Sequence, residues 1–272
     1  MDVAAERDQL HWEEDLRLLE RAAHAAGERA MEFFGREPDV WWKNEGRSPV
    51  SAADIAANDT LKAMLLTARP NYGWLSEETD DDPARLSCET LFVIDPIDGT
   101  RSFIAGKDVW CVSAAVVHRG RPVAGVLVAP ALGEVYASFA GGPALKNGAE
   151  ISVANPQDAQ VFRLAAAEDM VSRLDRGPLG AVERMPHVAS LAYRLAMAAD
   201  GRIDGTLVKT NSHDWDLAAA DLILANAGGG LVSLDGRPLI YNRPDVRHGI
   251  LCAAGSDWLG RLISSTTGLS GH

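Results

Sequence analysis

"VWCVSAAVVHRGRPVAGVLVAPALGEVYASF", residues 109–139, is the stretch that decides the fold. Its β-branched runs are broken by "HRGRP" and "PALGE", turn-forming pieces spaced for an antiparallel meander. The polar "LKNGAEI" that follows carries Asn147-Gly148, the residue choice of a tight hairpin turn. Upstream, residues 13–35 read as a long amphipathic helix, with Leu16, Leu19, Ala23, Ala26 and Ala30 three to four apart and Gly35 as a stop. Residues 50–70 read as a second helix, ended by Pro70. Downstream of about residue 150 a helix–strand rhythm returns: 188–200 helical, 203–208 extended, 216–227 helical, then a strand and turn in "GGGLVSLDGRPL". The pattern predicts an α+β fold, a layered αβαβα sandwich. An antiparallel sheet belongs to the N-terminal half (1–150), and a smaller mixed sheet with helices to the C-terminal half (151–272). The two halves should share one core, with the functional cleft between them. "AGGGLVSLDG" follows a helix instead of opening one, so it makes no dinucleotide site.

The chain has 272 residues, 47% apolar and 24% charged, which suits a globular enzyme with a large core. A net charge of −12 argues against duplex nucleic acid as a partner, because phosphate backbones are bound by clustered Lys and Arg. A small anionic ligand remains compatible with that charge if bound cations offset the local field. No stretch approaches the roughly 18 to 20 apolar residues of a membrane span, and the first residues lack the basic and apolar regions of a secretory signal. Cys88, Cys111 and Cys252 are odd in number and unclustered, the usage of reduced thiols. The expected location is cytoplasmic. Trp41-Trp42 is expected to pack a strand edge.

Just before the meander, "LFVIDPIDGTRSFIAG" (91–106) drives an apolar strand into two carboxylates three positions apart. Pro96 fixes its own φ and pushes Asp95 towards extended geometry, so a sharp turn is expected at the strand's end. Asp95, Asp98 and the Ile97 carbonyl then converge as a ligand set for a hard cation such as Mg²⁺. The following Gly99-Thr100 can open a helix whose free N–H groups suit a phosphate. A capped turn with one solvated Asp is the plainer alternative for this segment alone. Two others bear on it. "WLSEETDDD" presents Glu77 and Glu78 after a strand end, with Asp80 to Asp82 expected as solvated charge. In "HDWDLAAADLILANAGG", Asp214 and Asp216 bracket Trp215 ahead of a helix. One of them is expected as its N-cap, which leaves the other unexplained. The seven histidines show no metal-ligand spacing, and His213 is expected at a loop or rim.

"DPIDGT" at 95–100, "SEET" at 76–79 and "WDLAAADLILANAGG" at 215–229 resemble the inositol monophosphatase superfamily of Mg²⁺-dependent, lithium-sensitive phosphomonoesterases. "KNEGRSPVSAAD", from Lys43 to Asp54, resembles its fourth element. The resemblance implies that Glu77 and Asp95 bind a first metal with the Ile97 carbonyl. Asp95 would bridge to a second metal, held also by Asp98 and Asp216. It further implies that Asp54 and Thr100 orient or deprotonate the attacking water, with Glu77 and Glu78 nearby, and that the Gly99 and Thr100 amides receive the phosphate. Asn58 stands where an acid would be expected. Lys209 stands where inositol-specific members carry a hydroxyl-binding glutamate. Arg194 lies where the 3'(2'),5'-bisphosphate nucleotidases carry a basic residue.

Two cations suit a second substrate phosphate, so hydrolysis of 3'-phosphoadenosine 5'-phosphate to AMP leads, by a metal-activated water. Inositol-1-phosphate and histidinol phosphate are the alternatives, and in the plainer reading Lys209 is solvated and Arg194 pairs with an acid. The expected partner is thus a small phosphorylated substrate, a nucleotide bisphosphate or a sugar or polyol phosphate, with a homodimer left open. A haloacid-dehalogenase-type phosphatase would instead space its carboxylates Asp-x-Asp and attack through the first. A non-catalytic binder would show a gap in the ligand set. Arg243, Arg247 and His248, in a turn-rich loop, are candidates for ligand contacts only by position.

Overall fold

The computed structural model describes residues 3–36, 40–43, 48–154 and 161–269. Residues 44–47 of the Lys43–Asp54 element, and the packing of Trp41 and Trp42, lie outside what is described. Helix α1 spans Val3–Met31, longer than its periodic stripe, and α2 spans Ala52–Ala68. Between them, β1 (Val40–Lys43) and β2 (Ser48–Ser51) form an antiparallel pair.

The large sheet follows: β3 (Gly73–Ser76), β4 (Thr90–Asp98), β5 (Cys111–His118), β6 (Arg121–Ala129), β7 (Glu134–Phe139), β8 (Leu145–Lys146) and β9 (Ala149–Glu150), in that spatial order. A short helix α3 (Thr100–Ile104) joins β4 to β5. From β4 to β9 every pairing is antiparallel, as the meander requires, and β3 alone lies parallel to its neighbour β4. The β8–β9 turn is made by Asn147 at φ 49° and Gly148 at φ 79°, the paired positive angles that this turn demands.

Strands β4, β5 and β6 are buried almost without interruption because helices cover both faces. Phe92, Ile94, Val112, Ala114, Val116, Val126 and Val128 pack with Leu16, Leu19, Ala23 and Ala26 of α1 and with Ala57 and Leu61 of α2. Leu91, Val93, Ala115, Val117 and Leu127 point the other way. They meet α5 (Leu191–Ala199) and α6 (Asp214–Asn226), which lie after α4 (Glu168–Val171) in the chain. At the crossing of α6 over β6, a Cβ on Gly125 would stand 2.9 Å from the Ala219 Cα. That approach is closer than real side chains tolerate, so only glycine lets the helix sit down.

The second sheet lies on the far side of α5 and α6. It contains β10 (Phe162–Ala165), β11 (Val182–Arg184), β12 (Gly205–Val208), β14 (Gly229–Ser233) and β16 (Leu251–Gly255), in the order β11-β10-β12-β16-β14. β10 is parallel to both β11 and β12, and the pairings through β16 are antiparallel, so the sheet is mixed as expected. A separate pair, β13 (Ser212–His213) with β15 (Arg247–His248), braces the start of α6. Helix α7 (Ser256–Ser265) packs Trp258 and Leu262 against Phe162, Leu164 and Cys252 on the outer face. The layers are therefore αβαβα, and one buried cluster joins residues of both sheets through α5 and α6. Among the described residues no helix is long and apolar enough to cross a membrane.

Candidate functional site

The site begins with an irregularity in β4. Asp95 pairs with Ser113 and Asp98 with Cys111, so three steps on β4 face two on β5. In a regular strand, residues three apart point to opposite faces. The extra residue makes a bulge that restores Asp98 to the side of Asp95. Pro96 sits inside it, where a missing N–H breaks no ladder bond. The sharp turn expected at Asp95 is thus a bulge within a strand that continues to Asp98. The turn comes at Gly99, at φ 97°.

The face chosen by the bulge is the one that α6 covers. Ser113 Oγ donates to the Trp215 carbonyl at 3.2 Å, fixing the first turn of α6 over β5. Neither Asp214 nor Asp216 is the N-cap, contrary to expectation; His213 is. Asp216, at the third helical position, reaches back to accept from the His213 N–H at 2.7 Å, which leaves part of its carboxylate for other contacts. The His213 ring stacks on Trp215 with centroids 4.5 Å apart. Asp214 is fully buried and accepts from Asn242 N at 2.8 Å, with His248 Nε2 at 2.7 Å from its other oxygen.

From the other side, Glu77 follows β3, its N–H donating to the Ile94 carbonyl at 3.2 Å. Asn58 of α2 holds this turn: it accepts from Ser76 Oγ at 2.7 Å and donates to Thr79 Oγ1 at 3.3 Å. An amide at 58 can do both, which a carboxylate could not. Donor oxygens of Glu77, Asp95 and Asp216 all come within 4.8 Å of one another. They line a cavity of about 400 Å³ together with Asp98, Ile97, Gly99, Thr100, Arg101, His187 and Ala189.

Electrostatics show what this convergence involves. Burial, then repulsion from Glu77, Asp98 and Asp216, hold the Asp95 carboxyl well above the usual range. Burial and Asp216 push Asp98 up to about 7, against the hydrogen bonds it accepts from Ser190 Oγ and Ala192 N. Burial raises Asp54 to about 6. Asp54, in the first turn of α2, accepts from Ser51 N at 2.8 Å and Ser51 Oγ at 2.6 Å. Its other oxygen stands 3.2 Å from Thr100 Oγ1, which also lies 3.0 Å from the Ile97 carbonyl. A donor set made only of carboxylate and carbonyl oxygens, mutually repelling unless protonated, fits a hard cation and not a thiolate- or imidazole-seeking one.

Lys209 and Arg194 are not among the cavity-lining residues. Lys209 Nζ donates to Asp169 Oδ2 at 2.8 Å in a pair exposed on both sides. Arg194 is half-buried on α5, with its Nε shielded and without a hydrogen-bond partner among the described residues. Burial lowers its pKa, and Asp98 acts in the opposite sense. Arg243 donates to the Ile240 and Arg247 carbonyls, and Arg247 pairs with Asp245, so both serve their own loop. The acidic burst is not simply solvated: Asp81 pairs with the buried Arg85, and Asp82 accepts from Ala84 N at 2.9 Å. Sequence reading missed Arg101, His187 and Ser190. Arg101 directly follows the quoted motif and could have been found; nothing near His187 or Ser190 in sequence marks them.

Carboxylate oxygens gathered beside a helix start, on a two-sheet αβαβα frame, make a site suited to a hard cation. The chain belongs to the inositol monophosphatase family, whose model matches residues 11–268. It is 32% identical over 237 residues to an inositol-1-monophosphatase of Mesorhizobium japonicum, covering 81% of this chain and 86% of that protein. It is 31% identical over 238 residues to the 3'(2'),5'-bisphosphate nucleotidase CysQ of Aggregatibacter actinomycetemcomitans, covering 81% and 85%. The solved structure of the extragenic suppressor protein suhB from Bartonella henselae superposes with a TM-score of 0.78 at 25% identity, over 94% of this chain and 98% of that one. The chain is a phosphoric monoester hydrolase of this metal-dependent family.

Proposed function

We propose that the protein is a Mg²⁺-dependent phosphomonoesterase in which Glu77, Asp95, Asp98, Asp216 and the Ile97 carbonyl hold the metal. The observation that carries this reading is the meeting of Glu77, Asp95 and Asp216 within 4.8 Å in the cavity that Thr100 also lines. When bound, magnesium supplies Lewis acidity, which makes water nucleophilic at neutral pH and offsets charge on phosphoryl oxygens. The rest falls to side chains. Thr100 Oγ1 donates its single proton to Asp54 and so turns its lone pairs to the attacking water. Asp54, held by Ser51, takes the proton onward as general base, together with Glu77. The Gly99 and Thr100 amides receive the phosphate.

For substrate we favour a 3'(2'),5'-bisphosphate nucleotide, 3'-phosphoadenosine 5'-phosphate in the first instance. Its support is charge: Arg101 stands on the cavity wall, and residue 209 is a lysine rather than an acid. The exposed Lys209–Asp169 pair contributes little to stability, so a phosphate can replace Asp169 at small cost. Arg194 adds positive potential from behind Asp98. The 32% identity to an inositol-1-monophosphatase favours inositol-1-phosphate as the second reading. The deciding experiment is phosphate release from both substrates and from histidinol phosphate, with Mg²⁺ and in EDTA. A higher kcat/KM on inositol-1-phosphate would displace the nucleotide reading, and release undiminished by EDTA would sink the metal reading.

A further inference from the structure

Asp98 is held from across the sheet by residues that belong to no motif. Ser190, fully buried, is the N-cap of α5: its Oγ accepts from Tyr193 N at 3.1 Å. The same Oγ donates to Asp98 Oδ2, and Ala192 N donates to that oxygen at 2.6 Å. A hydroxyl has one proton, so with it committed to Asp98 the neighbouring Cys111 thiol, 3.6 Å away, is the donor in its contact with Ser190. The contact is also close-packed. A Cβ on Gly99 would stand 3.2 Å from Ser190 Cβ and 3.4 Å from its Cα.

Ser190 and Ala192 both hold Oδ2, and the Leu191 amide is a further backbone donor to the same carboxylate. Asp98 Oδ2 has its lone pairs filled by Ser190 and Ala192, while Asp98 also lines the acidic cavity. The geometry points to Ser190 as a positioning residue that fixes the orientation in which Asp98 faces the cavity and a cation there. The inference rests on the reading of Asp98 as a metal ligand given above. Without the Ser190 donor the carboxylate is held by backbone amides alone, Ala192 N at 2.6 Å among them, so it turns more readily about its Cβ–Cγ bond, and a ligand that must be ordered on binding binds more weakly. Outer-shell hydrogen bonds of this kind typically change metal affinity about 10- to 100-fold.

The cap and the donor can be separated. Glycine is nearly as good an N-cap as serine, whereas alanine is poor. Ser190→Gly therefore removes the donor and keeps the helix start, and Ser190→Ala removes both. The measurement is Mg²⁺ titration of the metal-free full chain by calorimetry, with the melting temperature in EDTA and the Mg²⁺ dependence of phosphate release alongside. Ser190→Gly and Ser190→Ala should both weaken Mg²⁺ binding roughly 10-fold or more, with the Mg²⁺ midpoint moving more than kcat. Ser190→Thr, which restores a hydroxyl, should return to within about 3-fold of the parent. If Ser190→Gly binds Mg²⁺ as tightly as the parent while Ser190→Ala only melts earlier, Ser190 is a helix cap and the proposal is wrong. Asp98→Asn separates the two levels. If it leaves Mg²⁺ binding unchanged, the ligand assignment itself fails; if it weakens binding and Ser190→Gly does not, only the positioning role fails.

Discussion

Asp98→Asn should make the metal-free protein more stable, and by an amount that depends on pH. In the folded chain burial and Asp216 raise this carboxyl from 3.8 to about 7. A raised carboxylate pKa opposes folding: the penalty is absent below pH 3.8, grows as pH rises towards 7, and is complete above it. At pH 8 it amounts to roughly 4 kcal/mol, and at pH 5, where the folded carboxyl is mostly protonated, to less than half of that. Asparagine is neutral at both and its oxygen can still accept from Ser190 and Ala192. Allowing for imperfect replacement of those bonds, we expect about 2 to 4 kcal/mol of added stability at pH 8 in EDTA, or a melting temperature higher by roughly 5 °C or more. At pH 5 the gain should fall by about half. Saturating Mg²⁺ should reverse the order, because the parent gains binding energy that the variant largely lacks. The assay is thermal unfolding of both chains at pH 5 and pH 8, in EDTA and in Mg²⁺. An Asp98→Asn protein no more stable than the parent at pH 8 in EDTA would refute the electrostatic account of the site.

The other predictions concern activity. Asp95→Asn should lose at least ~10³-fold in kcat, since it removes the central charge of the cluster; EDTA should abolish turnover, and Ca²⁺ and lithium should inhibit it. Thr100→Ala should lower kcat roughly 10²-fold with little change in KM, and a near-normal kcat would place water activation elsewhere, with Glu77 or Glu78 the first candidates. Because burial raises Asp54 to about 6, the parent's kcat should fall as pH drops through that value, and the acid limb should be lost in Asp54→Asn. Lys209→Glu should raise KM for 3'-phosphoadenosine 5'-phosphate about 10-fold or more and spare inositol-1-phosphate; equal effects on both would show that Lys209 serves only its pair with Asp169.

Local order along the chain was enough to place the meander and the principal helices, though not the short β10, α4 and β11 or the last helix, α7. The meander of 109–139, the Asn147-Gly148 turn and the spacing of Leu16, Leu19, Ala23 and Ala26 all act over a few residues, and each appears where the sequence places it. The αβαβα layering follows too, because near-continuous apolar strands need helices on both faces. The family was legible for the same reason: "DPIDGT" and "WDLAAADLILANAGG" are contiguous. What the sequence could not decide were relations between segments far apart in the chain. A one-residue bulge between Asp95 and Asp98 chooses which face both carboxylates share, and it is defined only by register against Ser113 and Cys111 on the next strand. The sequence places Lys209 six residues before Trp215 but does not show that its partner in the fold is Asp169, forty residues away. Ser190 gave no signal at all, since a serine before a helix reads as a cap. Its second bond, to Asp98, spans 92 residues and exists only because α5 packs its first turn against Gly99. Hydrogen-bond donors and charges act over a few ångströms, so their partners are set by how the layers stack and not by their order in the chain.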